Sequence, residues 1–202
     1  MDVKYKLNLK LGYMMVNKNI TRCKWCNLDN PKYVLYHDYE WCVPNYDDKY
    51  LFEMLILESF QAGLSWECIL NKREAFREAY DNFDIDMVSN YDSFKIDSLL
   101  NNKNIIRNKL KIHASINNAK IFRKIIYEYG SFYNYLTTFT NNKIIYEINL
   151  TKSNLSDNIS HDLKKRGMKF VGSTIIYSYL QAIGIIYSHD RECFMYKKVT
   201  DD

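Results

Sequence analysis

A chain of 202 residues and 24.2 kDa, 47% hydrophobic and 26% charged, is long enough for one substantial core and too apolar for global disorder. Its 28 basic and 24 acidic residues leave a net charge of +4 and a pI near 8.6, which permits a nucleic-acid partner without demanding one. Two prolines and six glycines predict helices, and five cysteines without a secretory leader argue for reduced thiols in an intracellular protein, not a disulfide framework.

Residues 1–21 lack both a cleavable apolar run and the Arg/Ser content of a transit peptide, and read as an N-terminal extension of unknown role. Residues 22–202 read as one domain, since no repeat or Pro/Ser-rich hinge divides them. With Asp48 as N-cap, Leu51, Met54, Leu55 and Glu58 fall on one helical face, so a carboxylate sits where a leucine is expected. After the turn Gln61-Ala62-Gly63-Leu64, Ser65 caps a second helix with Trp66, Ile69, Leu70, Arg73 and Phe76 inward. A third helix over 109–129 aligns Ile112, Ile116, Ala119, Phe122 and Ile126 and stops at Gly130. A short helix capped by Ser160 and ended by Gly167 precedes a fourth that starts at Ser173 or Thr174 and carries Ile176, Leu180 and Ile183. The uncharged stretch 170–188 holds Ser173, Thr174, Ser178 and Gln181 and reads as a core helix, so no membrane partner is expected. No long alternating pattern competes, and the fold class is all-α.

Two groups of residues can carry chemistry. Cys23, Cys26 and His37 lie near the start, and His189 and Cys193 stand at i, i+4 near the end, a supply of N and S donors suited to tetrahedral zinc. Spacing alone favours Cys23, Cys26, His189 and Cys193, with His37 as the alternative; Cys42 and Cys68 read as ordinary small buried residues. Four protein ligands leave no open position, so the zinc is structural. Glu58 is the second group, because a carboxylate on an apolar stripe needs a partner. Trp25, Tyr36, Trp41 and Trp66 lie near it in sequence, and aromatic faces beside one acceptor suit a flat ligand such as a purine.

The stretches RCKWCNLDNPKYVLYHDYEWCVP, LFEMLILESFQAGLSWECILNKREAFREAY, NIIRNKLKI and LKKRGMKFVGSTIIYSYLQAIGIIYSHDREC closely resemble the 3-methyladenine DNA glycosylase I family of helix-hairpin-helix enzymes, from about Arg22 to Cys193. The resemblance implies a single helix-hairpin-helix glycosylase-type domain whose zinc site, Cys23, His37, His189 and Cys193, ties the N- and C-terminal segments and excludes Cys26. It implies a pocket in which Glu58 is the catalytic carboxylate, Trp66 stacks on the base, and Tyr36 and Trp25 complete the binding surface. The implied activity is hydrolysis of the N-glycosidic bond of 3-methyladenine by a monomeric, monofunctional enzyme that flips the base out of double-stranded DNA. Backbone from Asn104 to Arg107, with Arg107, Lys109 and Lys111, would hold phosphates, and Lys164, Lys165, Arg166 and Lys169 form a second basic group. Two positions depart from the family: Asn104 and Cys42 each replace a glycine. Asn tolerates positive φ well, so Asn104 is expected to keep the turn in the left-handed conformation.

Overall fold

The structure, a computed structural model, describes residues 20–197. The extension expected over 1–21 therefore lies almost wholly outside the described residues. In chain order the helices are α1 (Pro31–Tyr39), α2 (Asp48–Gln61), α3 (Trp66–Asn71), α4 (Arg73–Ala79), α5 (Ile85–Ser89), α6 (Ser93–Asn101), α7 (Lys109–Tyr129), α8 (Phe132–Thr140), α9 (Asn154–Lys165) and α10 (Ser173–Ala182). Two short strands, β1 (Ile145–Tyr146) and β2 (Ile186–Tyr187), pair in parallel with Ile145 opposite Ile186. The all-α expectation holds in that the described residues are mostly helical, with this one short strand pair as the exception.

Helix α2 is the central rod. Every residue from Leu51 to Phe60 is buried, so the predicted single apolar face is too narrow a description, and both Glu53 and Glu58 go inside. α10, α7, α8 and α3 pack around it. Phe122 of α7 stacks on Phe132 of α8 at 3.9 Å between ring centres and meets Phe52 of α2 edge-on at 5.2 Å.

Several local expectations are corrected. Asp47, not Asp48, caps α2 by accepting Tyr50 N–H, while the Asp48 carboxylate accepts Phe132 N–H at 2.8 Å and ties α2 to the start of α8. The helix expected from Ser65 through Phe76 breaks at Lys72, whose N–H is shared between the Ile69 and Leu70 carbonyls. Beyond that break Arg73 turns inward and pairs with Glu53 and Glu40, both at 2.6 Å. Ser160 lies mid-helix and donates to the Val171 carbonyl; the N-cap of α9 is Ser153, seven residues earlier, whose N–H donates to Ser156 Oγ. Gly130 and Gly167 end α7 and α9 in the left-handed region, as their positions predict.

The two departures from the family pattern also resolve. Asn104 is not in the left-handed region. Asn102 Oδ1 instead accepts Asn104 N–H at 2.9 Å, and this Asx turn bends the loop without positive φ. Cys42 does take the glycine-like conformation, φ +62°, and so is more than an ordinary core residue. Its N–H donates to the Gln181 carbonyl and its Sγ accepts Ser188 N–H at 3.3 Å. Behind it, Gly184 has φ +75° and no space for a side chain, because a Cβ there would lie 2.3 Å from Pro44 N. Cys68 is only half-buried.

Candidate functional site

α1 and α2 present the residues from which the site is built. Glu58 projects from the last turns of α2, and Gln61, three residues on, lies on the same face. α1 supplies Tyr36, and Ser65 caps α3 so that Trp66 opens it. With Trp25 from the preceding turn and Ser178 and Gln181 of α10 across from them, these side chains enclose a cavity of about 330 Å³. That volume suits a purine, and the walls combine five aromatic side chains with polar groups. Tyr36 and Trp66 lie 5.3 Å apart, and Trp25 packs edge-on against Trp41 at 4.7 Å. Sequence order had placed these aromatics near one another, and the fold brings Trp25, Tyr36, Glu58 and Trp66 to one cavity.

The cavity wall carries both acceptor and donor atoms. Glu58 is 2% exposed, and its Oε2 has no hydrogen-bond partner among the described residues. Burial alone pushes its carboxyl up to about 8. Trp66 Nε1 is likewise buried without a partner. Orphaned polar atoms on a cavity wall cost free energy unless something in the cavity satisfies them. Tyr36 is held well above its usual range by burial and by the adjacent Glu58, so its phenol stays protonated and able to donate. By contrast Glu53, also on α2, is fully paired: burial opposes its charge, yet Arg73 and Arg77 hold its carboxyl below the ordinary range.

A cluster of four donors lies immediately behind the aromatic wall. Tyr36 faces the cavity and the next residue, His37, faces away from it into the cluster, while Trp41 packs edge-on against His189 at 4.7 Å. Cys23, His37, His189 and Cys193 are all buried, with their ligating atoms within 4.8 Å of one another. Cys23 Sγ to His189 Nδ1, Cys193 Sγ to His37 Nε2 and Cys193 Sγ to His189 Nδ1 are each 3.5 Å. A tetrahedron with Zn–S about 2.3 Å and Zn–N about 2.05 Å has an S···N edge of about 3.6 Å, so the donor set fits zinc. The surroundings agree. Asp38 Oδ1 accepts from His37 Nδ1 at 2.8 Å, which leaves Nε2 unprotonated and turned into the cluster, and Arg22 grips the same carboxylate through Nε and Nη2. Burial and the neighbouring His37 depress His189 to about 4, so its imidazole is neutral. Burial also raises the Cys23 thiol, a cost that a bound dication reverses. Cys26, which spacing alone preferred, turns its Sγ toward the Tyr33 carbonyl at 3.9 Å and stays outside the cluster.

The basic residues divide. Asn104, Arg107 and Lys109 are exposed on the loop and first turn that join α6 to α7. Lys111 departs from the phosphate-binding expectation: it is buried, and its ammonium donates to the Phe60 carbonyl at 2.8 Å and the Ala62 carbonyl at 2.6 Å. Arg166 of the second group is occupied by Asp162 and Glu128, which leaves Lys164, Lys165 and Lys169 exposed. The sequence reading also missed Gln61, Ser178, Gln181 and Asp190 of the cavity wall. Gln61 was within reach, since i+3 from Glu58 puts both on one face. The others come from distant segments and carry no local signal.

Fold and site together define a mostly helical protein with a purine-sized cavity whose wall carries an unpartnered buried carboxyl. The sequence model of methyladenine glycosylases matches residues 25–196. DNA-3-methyladenine glycosylase 1 of Escherichia coli K12 is 40% identical over 182 residues, covering 87% of this chain and 96% of that protein. The DNA-3-methyladenine glycosylase of Haemophilus influenzae Rd is 36% identical over 179 residues, covering 86% and 96%. The structure of 3-methyladenine DNA glycosylase I from Staphylococcus aureus, solved for the basis of 3-methyladenine recognition, superposes with a TM-score of 0.83 at 34% identity, covering 89% of this chain and 100% of that one. The chain belongs to the methyladenine glycosylase family of enzymes.

Proposed function

We propose that this chain removes 3-methyladenine from alkylated double-stranded DNA by hydrolysing the N-glycosidic bond. The observation that carries the reading is the buried, unpartnered Glu58 carboxyl at the wall of an aromatic cavity of purine size. N3-methylated adenine bears a positive charge while joined to the sugar. It leaves as a neutral base, so the bond is weak before the enzyme acts. The chain flips the lesion out of the duplex at a cost of a few kcal/mol, lowered because the methylated base stacks poorly. Trp66 and Trp25 then stack on the base, Tyr36 orients it, and the Glu58 carboxylate accepts hydrogen bonds from its edge and favours the cation.

The glycosidic bond breaks with its electron pair going to the base. Water adds to the sugar carbon and loses a proton. Glu58 acts through binding and electrostatics, and the enzyme is monofunctional, with no lysine nucleophile and no lyase step. Ordinary adenine is neutral and gains less from the same carboxylate, which gives selectivity.

The α6–loop–α7 segment is the helix-hairpin-helix, gripping phosphates through backbone N–H groups near Asn104 with Arg107 and Lys109. Zinc held by Cys23, His37, His189 and Cys193 is structural and supplies a cross-link between the two ends of the domain. The enzyme works as an intracellular monomer, since one lesion requires no symmetry. The test is release of free base from methylated duplex by the purified protein beside Glu58→Ala. Release of 3-methyladenine that the variant loses is expected; equal release by both would remove Glu58 from the mechanism, and none by either would refute the activity.

A further inference from the structure

The side chain expected on a phosphate is instead the link between the pocket and the hairpin. Lys111 stands in the first turn of α7, two residues after Lys109, yet it is 7% exposed. Its ammonium donates to the Phe60 and Ala62 carbonyls at 2.8 and 2.6 Å, the open carbonyl end of α2. A cation at that end also complements the helix dipole. α2 is the helix that carries Glu58 and Gln61, both on the cavity wall. A second lysine makes the reciprocal tie: Lys72, at the break between α3 and α4, donates to the Asn104 carbonyl at 3.0 Å.

We infer that Lys111 is a positioning residue that fastens the end of α2 to the start of α7, so that the base pocket and the phosphate-gripping loop form one rigid body. It touches neither DNA nor base. A base flipped from a duplex is held at the sugar by its own backbone, so the distance between the grip on the phosphates and the floor of the pocket decides whether it reaches Glu58. Lys111 sets that distance, and Lys72 secures the loop from the other side. The inference rests on the glycosylase reading for what the two ends hold, and on the hydrogen bonds alone for the tie itself.

The test compares wild type, Lys111→Met and Lys111→Arg on two probes: free 3-methyladenine, which needs only the pocket, and duplex DNA with an abasic site, titrated over a range of salt. For Lys111→Met, free-base affinity is expected within about twofold of wild type, because the pocket walls are intact. Affinity for the duplex is expected to fall about tenfold at every salt concentration, with the slope of log K against log salt unchanged, because no phosphate contact is lost. Lys111→Arg, which keeps a cation able to reach a carbonyl, is expected to recover part of the loss.

A slope shallower by about 0.9 would make Lys111 a phosphate ligand and overturn the inference. Equal loss of free base and duplex would make it a support of the pocket alone, and wild-type affinity for both would leave it no positioning role. If Lys111→Met fails to fold, the same probes on Lys111→Arg decide, since a changed slope or an unselective loss refutes the inference there too. Wild-type protein that binds neither probe would instead refute the glycosylase reading.

Discussion

Replacing Glu58 by glutamine keeps the shape of the pocket wall and removes one titration. Burial places the Glu58 carboxyl at about 8, against 4.5 in an exposed chain. Between those values the folded protein holds a proton that the unfolded chain releases, so this group's contribution is complete below pH 4.5 and is lost as pH rises through 8. At about 1.4 kcal/mol per pH unit, the full span of about 3.5 units has a ceiling of about 5 kcal/mol, reduced by whatever water the ionised group draws in. Glutamine does not titrate. In urea unfolding of the ligand-free proteins, the stability of Glu58→Gln relative to wild type should climb from about pH 5, by at most about 1.4 kcal/mol per unit, and level off by about pH 8.

The same group should couple binding to protons. A cationic probe such as 3,9-dimethyladeninium, in which a methyl replaces the sugar, should expel close to one proton from wild type near pH 7. That release is read by calorimetry in buffers of different ionisation enthalpy. Glu58→Gln should release none and bind about 10- to 100-fold more weakly, the worth of a charge-assisted hydrogen bond of about 1.5–3 kcal/mol. Parallel stability profiles for the two proteins would refute the reasoning, because they would mean that the carboxyl is solvated or paired in the empty pocket.

Purified wild type should contain one zinc per chain by elemental analysis. Cys193→Ser should lose it with a melting temperature lower by more than about 5 °C, whereas Cys26→Ser should keep both metal and stability. Trp66→Ala should weaken 3-methyladenine binding by about 1–3 kcal/mol in a competition titration, the usual worth of a base stacked on an aromatic side chain. Arg73→Met removes the buried guanidinium that joins Glu40 to Glu53 and leaves Glu53 to Arg77, and should cost about 3 kcal/mol in chemical denaturation.

How far these features could be read from the sequence depended on the range of the interactions that create them. α2, α7 and α10 announce themselves by periodicity and end signals, because caps and terminal glycines act within one or two turns. Errors arose where a distant partner took over a local signal. Asp48 has the chemistry of a cap but is committed to Phe132 N–H, 84 positions away, so Asp47 caps instead. Lys72 interrupts a continuous helical pattern, and just beyond it Arg73 joins Glu40 to Glu53 on two other helical segments. α5, α6 and α8 are short and stabilised by the helices they lie on, with too few turns of their own to show a period.

The site divides along the same line. Glu58 was visible as a carboxylate among leucines, since the apolar stripe around it is local. Spacing favours Cys26 over His37 because a C-x-x-C turn is a local ligand pair, and here that turn does close, with Cys26 N–H donating to the Cys23 carbonyl. What spacing does not carry is direction. The turn sends Cys26 Sγ toward the Tyr33 carbonyl, and α1 folds back so that Cys23 N–H meets His37 Nε2 at 3.3 Å. α1 thereby presents Tyr36 to the cavity and His37 to the donor cluster from adjacent positions, so a metal that fixes His37 also fixes the tilt of the pocket wall. Loss of the metal should then raise the mobility of Tyr36 and Trp25 before the domain unfolds, a change that tryptophan emission during gradual chelation can follow.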